Sequence, residues 1–195
     1  MRSAANHRDP VARAHALVTL FSSLPAAGRF RSVASAQVPE PARSLLDHRS
    51  HMTVAMERFH ATEVRLRVVA CAEQTKGADA GWYAREILLE SPAGDVVQYG
   101  VVRIDLSAVD EATAGEIRAA RRPLGRILID AGVLREVHDV SLLEVAAGPH
   151  LAELFRLKAS ASEPQLHGPL LYGRVADILL NERPAVELLE IVAPA

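Results

Sequence analysis

Apolar residues early in the chain fall on one side of a helix, and later ones alternate. Asp9-Pro10 has the form of a helix start, with an acceptor side chain at the N-cap and proline at the first helical position. Ala16, Leu17, Leu20, Phe21 and Leu24 then give a short apolar face. From residue 53 the period changes: Val64, Leu66 and Val68 alternate with Glu63, Arg65 and Arg67, the spacing of a strand with one face in a core. The stretch 76–81, with two glycines, breaks that strand. Residues 82–90 and 95–104 read as strands joined by Ser91-Pro92-Ala93-Gly94, a hairpin turn. Residues 107–120 read as a helix carrying Asp110, Glu111 and Glu116 on its early turns, where the helix dipole favours acids. Pro123 opens a second short helix through residue 131, stopped by Gly132. Residues 135–145 return to strand spacing, and Gly148-Pro149 introduces a helix ending near 157. The polar stretch 158–168 reads as an exposed loop. Residues 170–180 and 184–192 are the last two strands, joined by Asn181-Glu182-Arg183. Successive hairpins imply a mostly antiparallel sheet with flanking helices, so the expected class is α+β.

Length and composition narrow the reading. The 195 residues suit one domain with at most a short appendage, which places an N-terminal helix and linker at 1–38 and the domain proper at 39–195. Basic residues number 22 and acidic ones 24, a balance that argues against a protein devoted to coating nucleic acid. That balance hides an asymmetry: residues 1–38 hold five arginines and one acid, Asp9, while the rest of the chain is net acidic. No stretch approaches the ~20 continuous apolar residues of a membrane span. The run from Ala16 to Leu24, followed by Pro25-Ala26-Ala27, has the outline of a secretory signal, but a long preceding stretch with His7, Asp9 and His15 argues for a plain helix. The expected location is cytoplasmic. A lone cysteine, Cys71, excludes an intramolecular disulfide and a cysteine zinc cluster; within Val68-Val69-Ala70-Cys71-Ala72 it reads as packed core.

Four segments hold candidate chemistry. Asp47-His48-Arg49-Ser50-His51 contains a His-x-x-His spacing, which places two rings near one metal on a helix, but Arg49 sits between them and no further ligands are evident. No Gly-x-Ser-x-Gly elbow and no glycine-rich phosphate loop occurs. In Trp82-Tyr83-Ala84-Arg85-Glu86-Ile87-Leu88-Leu89, alternation sends Arg85, Ile87 and Leu89 to one face and Glu86 and Leu88 to the other. A charge among aliphatic neighbours is costly unless paired or held ready for an oppositely charged ligand, and arginine's rigid fork suits a carboxylate. An ordinary interstrand ion pair or a snorkelling stem explains the same pattern. In Val186-Glu187-Leu188-Leu189-Glu190-Ile191-Val192, Glu187 and Glu190 fall on opposite faces, so one acid points inward unless both sit at solvated strand edges. In Arg121-Arg122-Pro123-Leu124-Gly125-Arg126, a helix mouth with free N–H groups and flanking arginines has the form of an anion site, or of a plain helix start with solvated arginines.

Taken in order, these pieces resemble the chorismate pyruvate-lyase family, which makes 4-hydroxybenzoate. The resemblance spans roughly residues 45–194. It rests on Ser50-His51-Met52-Thr53, Arg85-Glu86-Ile87-Leu88-Leu89, Pro123-Leu124-Gly125-Arg126 and Leu188-Leu189-Glu190-Ile191-Val192-Ala193-Pro194. The chain looks most like a divergent branch: 133–157 is longer than in the better-known branch, and the terminal acid follows Leu189 instead of a hydroxyl residue. The resemblance implies a sheet with flanking helices enclosing a buried ligand, and no metal or organic cofactor. It also implies that Arg85 holds the ring carboxylate, that backbone at Met52 and Leu124 lines the pocket, and that Glu190 faces the far end. The partner would be a small molecule, chorismate. Two alternatives stand beside this. One is a non-catalytic sensor, since the same fold resembles effector-binding domains of bacterial transcription regulators, although 38 residues with one short helix are too few for a winged helix. The other is a lyase for a different enolpyruvyl cyclohexadiene acid.

Overall fold

Strands dominate because alternating apolar positions in the middle and end of the chain each find a pairing partner. The computed structural model describes residues 9–74, 81–157 and 170–194. Of the strand interruption expected over 76–81 only Gly81 is described, and the loop expected over 158–168 lies outside the described residues. In chain order the elements are α1 (Pro10–Val18), α2 (Leu24–Ala27), β1 (Gly28–Val33), α3 (Ala42–Leu46), α4 (Met52–His60), β2 (Arg65–Glu73), β3 (Trp82–Glu90), β4 (Val96–Asp105), α5 (Glu111–Ala119), α6 (Leu124–Asp130), β5 (Arg135–Ala147), α7 (Pro149–Leu154), β6 (Leu170–Leu180) and β7 (Arg183–Val192). The seven strands form one sheet in the order β1-β5-β6-β7-β4-β3-β2, and every neighbouring pair is antiparallel. This is the expected α+β class.

Alternation divides the sheet's side chains between two apolar layers. On one face Leu88, Tyr99, Val101, Val145, Leu189 and Ile191 pack against Leu17 and Val18 of α1 and Leu151 of α7. On the other, Leu89, Val97, Leu142 and Val192 meet Leu46 of α3 and Met52 and Met56 of α4. Further along that second face, Ile104, Val186 and Leu180 meet Ile117 of α5 and Ile127 and Leu128 of α6. Between these two groups of helices the second face is left partly uncovered by apolar packing, and the candidate site lies there.

Several expectations need correction. Residues 28–33, read as linker, form β1, which pairs with β5 from Gly28 opposite Ala147 to Val33 opposite Leu142. It is masked in sequence because its buried residues, Phe30 and Val33, do not alternate and Arg29, Arg31 and Ser32 are exposed. Asp110 precedes α5 instead of lying within it: its side chain accepts from Thr113 N–H at 2.7 Å, which satisfies one of the free donors of the first turn. Cys71 is exposed, not core. It lies on the edge strand β2 beyond a bulge between Val68 and Ala70, where no further strand covers it, and its Sγ is 3.0 Å from Tyr83 Oη.

Candidate functional site

The strands β3, β4, β7 and β6 form the floor of a cavity, and their register puts the candidate residues in rows. Ile87 lies opposite Gly100, Gly100 opposite Glu190, and Glu190 opposite Arg174. One row away, Arg85 lies opposite Val102 and Val102 opposite Leu188; on the other side, Leu89 lies opposite Gln98. Ser50, His51, Met52 and Thr53 at the start of α4, together with Leu124 and Gly125 of α6, wall the cavity, whose volume is about 630 Å³ including its open mouth. Gly100 keeps the floor low at its centre, since an added Cβ would come within 3.3 Å of Ile87 Cγ1. Arg85, Glu190, Met52 and Leu124, the four residues singled out above, all line this one cavity.

Arg85 is 1 % exposed, and among the described residues none of Nε, Nη1 and Nη2 has a hydrogen-bond partner. Neither the interstrand ion pair nor the snorkelling stem is present. Burial pushes the guanidinium below its ordinary value, opposed by the neighbouring Tyr83 and Cys71. A cation so placed costs stability unless an anion joins it.

Two strands away, Glu190 is held by a second buried arginine. Arg174, also 1 % exposed, donates from Nε to Glu190 Oε2 at 2.7 Å. Its Nη1 donates to the carbonyls of His48 at 2.8 Å and Leu46 at 3.3 Å, and its Nη2 to the carbonyl of Ser50 at 3.3 Å. The chain between α3 and α4 is thus tied to the sheet by one guanidinium. Spacing of about 4.8 Å between strands and 3.3 Å along them puts the Cα atoms of Arg85 and Glu190 about 12 Å apart. Glu187 points away, to the α1 face, where it pairs with Arg103 at 3.2 Å.

Each histidine of the His-x-x-His pair has an arginine at its ring. His48 Nδ1 accepts from Ser50 N–H at 3.1 Å and lies 3.2 Å from Arg174 Nη1; Arg135 donates from Nε to His51 Nε2. Burial first, and then these arginines, push both rings below the usual histidine range, with Glu190 opposing. Among the described residues no group of three or more His, Cys, Asp or Glu stands ready for a metal ion. At the α6 start the arginines are engaged elsewhere: Arg122 with Glu116 and Asp130, and Arg126 with Glu57 at 3.1 Å. Pro123, Leu124 and Gly125 line this part of the cavity.

Sequence reasoning missed Arg174 and Gln98. Arg174 carried the same signal that drew attention to Arg85, a lone charge in the apolar run Leu170-Leu171-Tyr172-Gly173-Arg174-Val175-Ala176. Gln98 had a weaker signal, a lone amide in Val96-Val97-Gln98-Tyr99.

No family model matches the chain, and no curated protein matches it. Solved structures do. PhnF from Mycobacterium smegmatis is 14% identical with a TM-score of 0.51, and the match covers 94% of each chain. A protein described as the ligand-binding domain of a GntR-family transcriptional regulator from Bordetella bronchiseptica is 16% identical with a TM-score of 0.49, covering 66% of this chain and 85% of that one. A GntR-family transcriptional regulator from Enterococcus faecalis is 15% identical with a TM-score of 0.46, covering 66% and 92%. At these identities the likeness is one of fold: the chain shares its sheet and flanking helices with PhnF over nearly its whole length.

Proposed function

We propose that the cavity binds a small cyclic carboxylate at Arg85 and that the chain acts on it as a chorismate pyruvate-lyase. The observation that carries the reading is Arg85, a buried guanidinium without a partner among the described residues, facing a cavity whose remote end holds a fixed carboxylate. Its fork matches a ring carboxylate in two parallel hydrogen bonds. The sequence resemblance to the lyase family over residues 45–194 supplies the chemistry.

Chorismate carries a ring carboxylate, a hydroxyl at C4 and an enolpyruvyl ether at C3. Elimination breaks the C4–H and C3–O bonds. The C–H electron pair becomes the new ring double bond, and the enolpyruvyl group leaves with the ether oxygen. Its methylene gains a proton to give pyruvate. Aromatisation makes the reaction downhill, so orientation of the ether and transfer of one proton are what the chain must supply. Glu190 is the group for that proton; in a concerted route the C4 hydrogen passes directly to the methylene and Glu190 only positions the ligand.

A second reading, a sensor that binds such an acid without reacting it, is favoured by the 2.7 Å contact between Glu190 and Arg174. That contact commits Oε2 of Glu190 to a fixed guanidinium, an arrangement suited to positioning a ligand. Ligand binding is also the role named for the Bordetella bronchiseptica domain. One assay separates the two: purified protein with chorismate, following pyruvate and 4-hydroxybenzoate. The lyase reading expects both products, lost in a folded Arg85→Ala variant. No product, with tight binding of an aromatic acid, makes the chain a sensor. In heavy water, pyruvate formed without solvent deuterium in its methyl group would remove Glu190 as the base.

A further inference from the structure

Among the described residues, Gln98 is the other buried side chain lining the cavity that has a polar atom without a hydrogen-bond partner. It is 2 % exposed, and its Oε1 has no hydrogen-bond partner among the described residues. It stands on β4 opposite Leu89, on the same face of the sheet as Arg85 and Glu190, and it lines the cavity. Its Nε2 lies toward the cavity floor, 3.6 Å from the point a Cβ on Gly100 would occupy. Strand geometry puts its Cα about 14 Å from that of Arg85 and about 8 Å from that of Glu190. The cavity therefore has a cationic end and a polar end, with Ile87 and Gly100 in the row between them.

A buried amide left without a partner costs on the order of 1–3 kcal/mol. An apolar residue would fill this position more favourably, as Leu89 does next to it. We propose that Gln98 is a specificity residue: its amide hydrogen-bonds an oxygen substituent on the ligand, at the end remote from the carboxylate that Arg85 holds. This rests on reading the cavity as a site for a cyclic carboxylate. The ligand class is thereby narrowed to ring acids with a hydroxyl or ether oxygen across the ring. A site that offers a buried hydrogen-bonding group discriminates strongly against analogues lacking its counterpart, because the group is then left unsatisfied.

The test compares the wild-type chain with Gln98→Leu, which preserves volume and removes the amide. Titration calorimetry with 4-hydroxybenzoate and with benzoate gives the affinity ratio. The wild-type chain prefers 4-hydroxybenzoate by about tenfold or more, and Gln98→Leu brings the ratio to within about threefold of unity while benzoate affinity is retained. An unchanged ratio overturns the proposal. Thermal unfolding without ligand is the second measurement, and it needs no ligand identity. Gln98→Leu melts higher than the wild-type chain if the amide serves a ligand, and a lower melting temperature assigns Gln98 a structural role and overturns the proposal. If neither acid binds the wild-type chain, the cyclic-carboxylate reading fails, and the melting comparison still decides whether Gln98 is kept for something other than stability.

Discussion

Three charged side chains are buried on the sheet, Arg85, Glu86 and Arg174, and their partners distinguish them. Glu86, next to Arg85 in sequence, points to the opposite face, where Tyr99 donates to it at 2.8 Å and His150 Nε2 lies 2.7 Å away. Arg174 has Glu190 and three carbonyls. Arg85 has none of these among the described residues. The alternation of β3 predicted that either Arg85 or Glu86 would lie among aliphatic neighbours, and it cannot say which charge is satisfied, because the partners come from strands and helices far away in sequence. The difference has a measurable consequence. Replacing a buried, unsatisfied ion with an apolar side chain of similar size relieves the desolvation penalty. Arg85→Met should therefore stabilise the ligand-free fold by about 1–4 kcal/mol and abolish binding of aromatic acids. Chemical denaturation with a ligand titration on the same variant checks both halves. A destabilised Arg85→Met would mean that the guanidinium has a structural partner after all.

At the scale of elements, the stretch from the end of α3 to the start of α4 is held less by secondary structure than by side chains. It carries Asp47–His51, of which Ser50 and His51 line the cavity, and is tied to the sheet by Arg174, with His48 and His51 against arginines. Sequence reading found the two histidines but took their spacing as a metal question. What decides their role is Arg174 on β6 and Arg135 on β5, which the topology alone brings in. The hairpins, by contrast, were legible because the Ser91-Pro92-Ala93-Gly94 turn and the alternation beside it are local. The histidines give this segment a pH dependence of predictable sign. Both rings have folded-state pKa values below the ordinary 6.5, from burial and from Arg174 and Arg135, with Glu190 opposing. The unfolded chain thus takes up protons first, so the stability they confer is complete above about pH 6.5 and is lost as pH falls below it. Hydrogen exchange over residues 47–53 should quicken as pH is lowered from 7.5 to 5.5, after correction for intrinsic rates. His48→Asn, which keeps an acceptor for Ser50 N–H without titrating, should remove part of that change. An Arg174→Lys variant should raise exchange over the same residues by about tenfold even at pH 7.5, since one ammonium cannot span Glu190 and three carbonyls.

For the whole molecule, the N-terminal segment matters more than its composition suggested. A stretch rich in alanine, serine and arginine reads as a helix and a loose linker. The sheet nevertheless uses it at both levels: β1 extends the sheet beyond β5, and α1 covers the face opposite the cavity. Leu17, Val18 and Phe30 are buried on that face, and Val33 is buried on the other, in the cluster of Leu46 and Leu142. Arg13 reaches across to Asp177 on β6 at 2.7 Å and to the carbonyl of Asp139, so even a charge of the basic segment is spent on the fold. Sequence patterning underestimated this because a nine-residue helix and a six-residue strand are too short for period alone to separate from coil. Each of those four apolar side chains is worth roughly 1.5–3 kcal/mol of burial. Together they rival the whole stability of an ordinary domain, about 5–15 kcal/mol. A chain starting at Pro39 should therefore lose cooperative unfolding. It should also lose the cavity, although no cavity residue has been removed, because Leu88, Tyr99 and Leu189 on the back of β3, β4 and β7 would lose their cover. A chain starting at Asp9, which keeps every described residue, is the reference for that comparison. Circular dichroism melts of the two truncations decide the matter, and a cooperative transition in the chain that begins at Pro39 would make residues 9–38 an appendage after all.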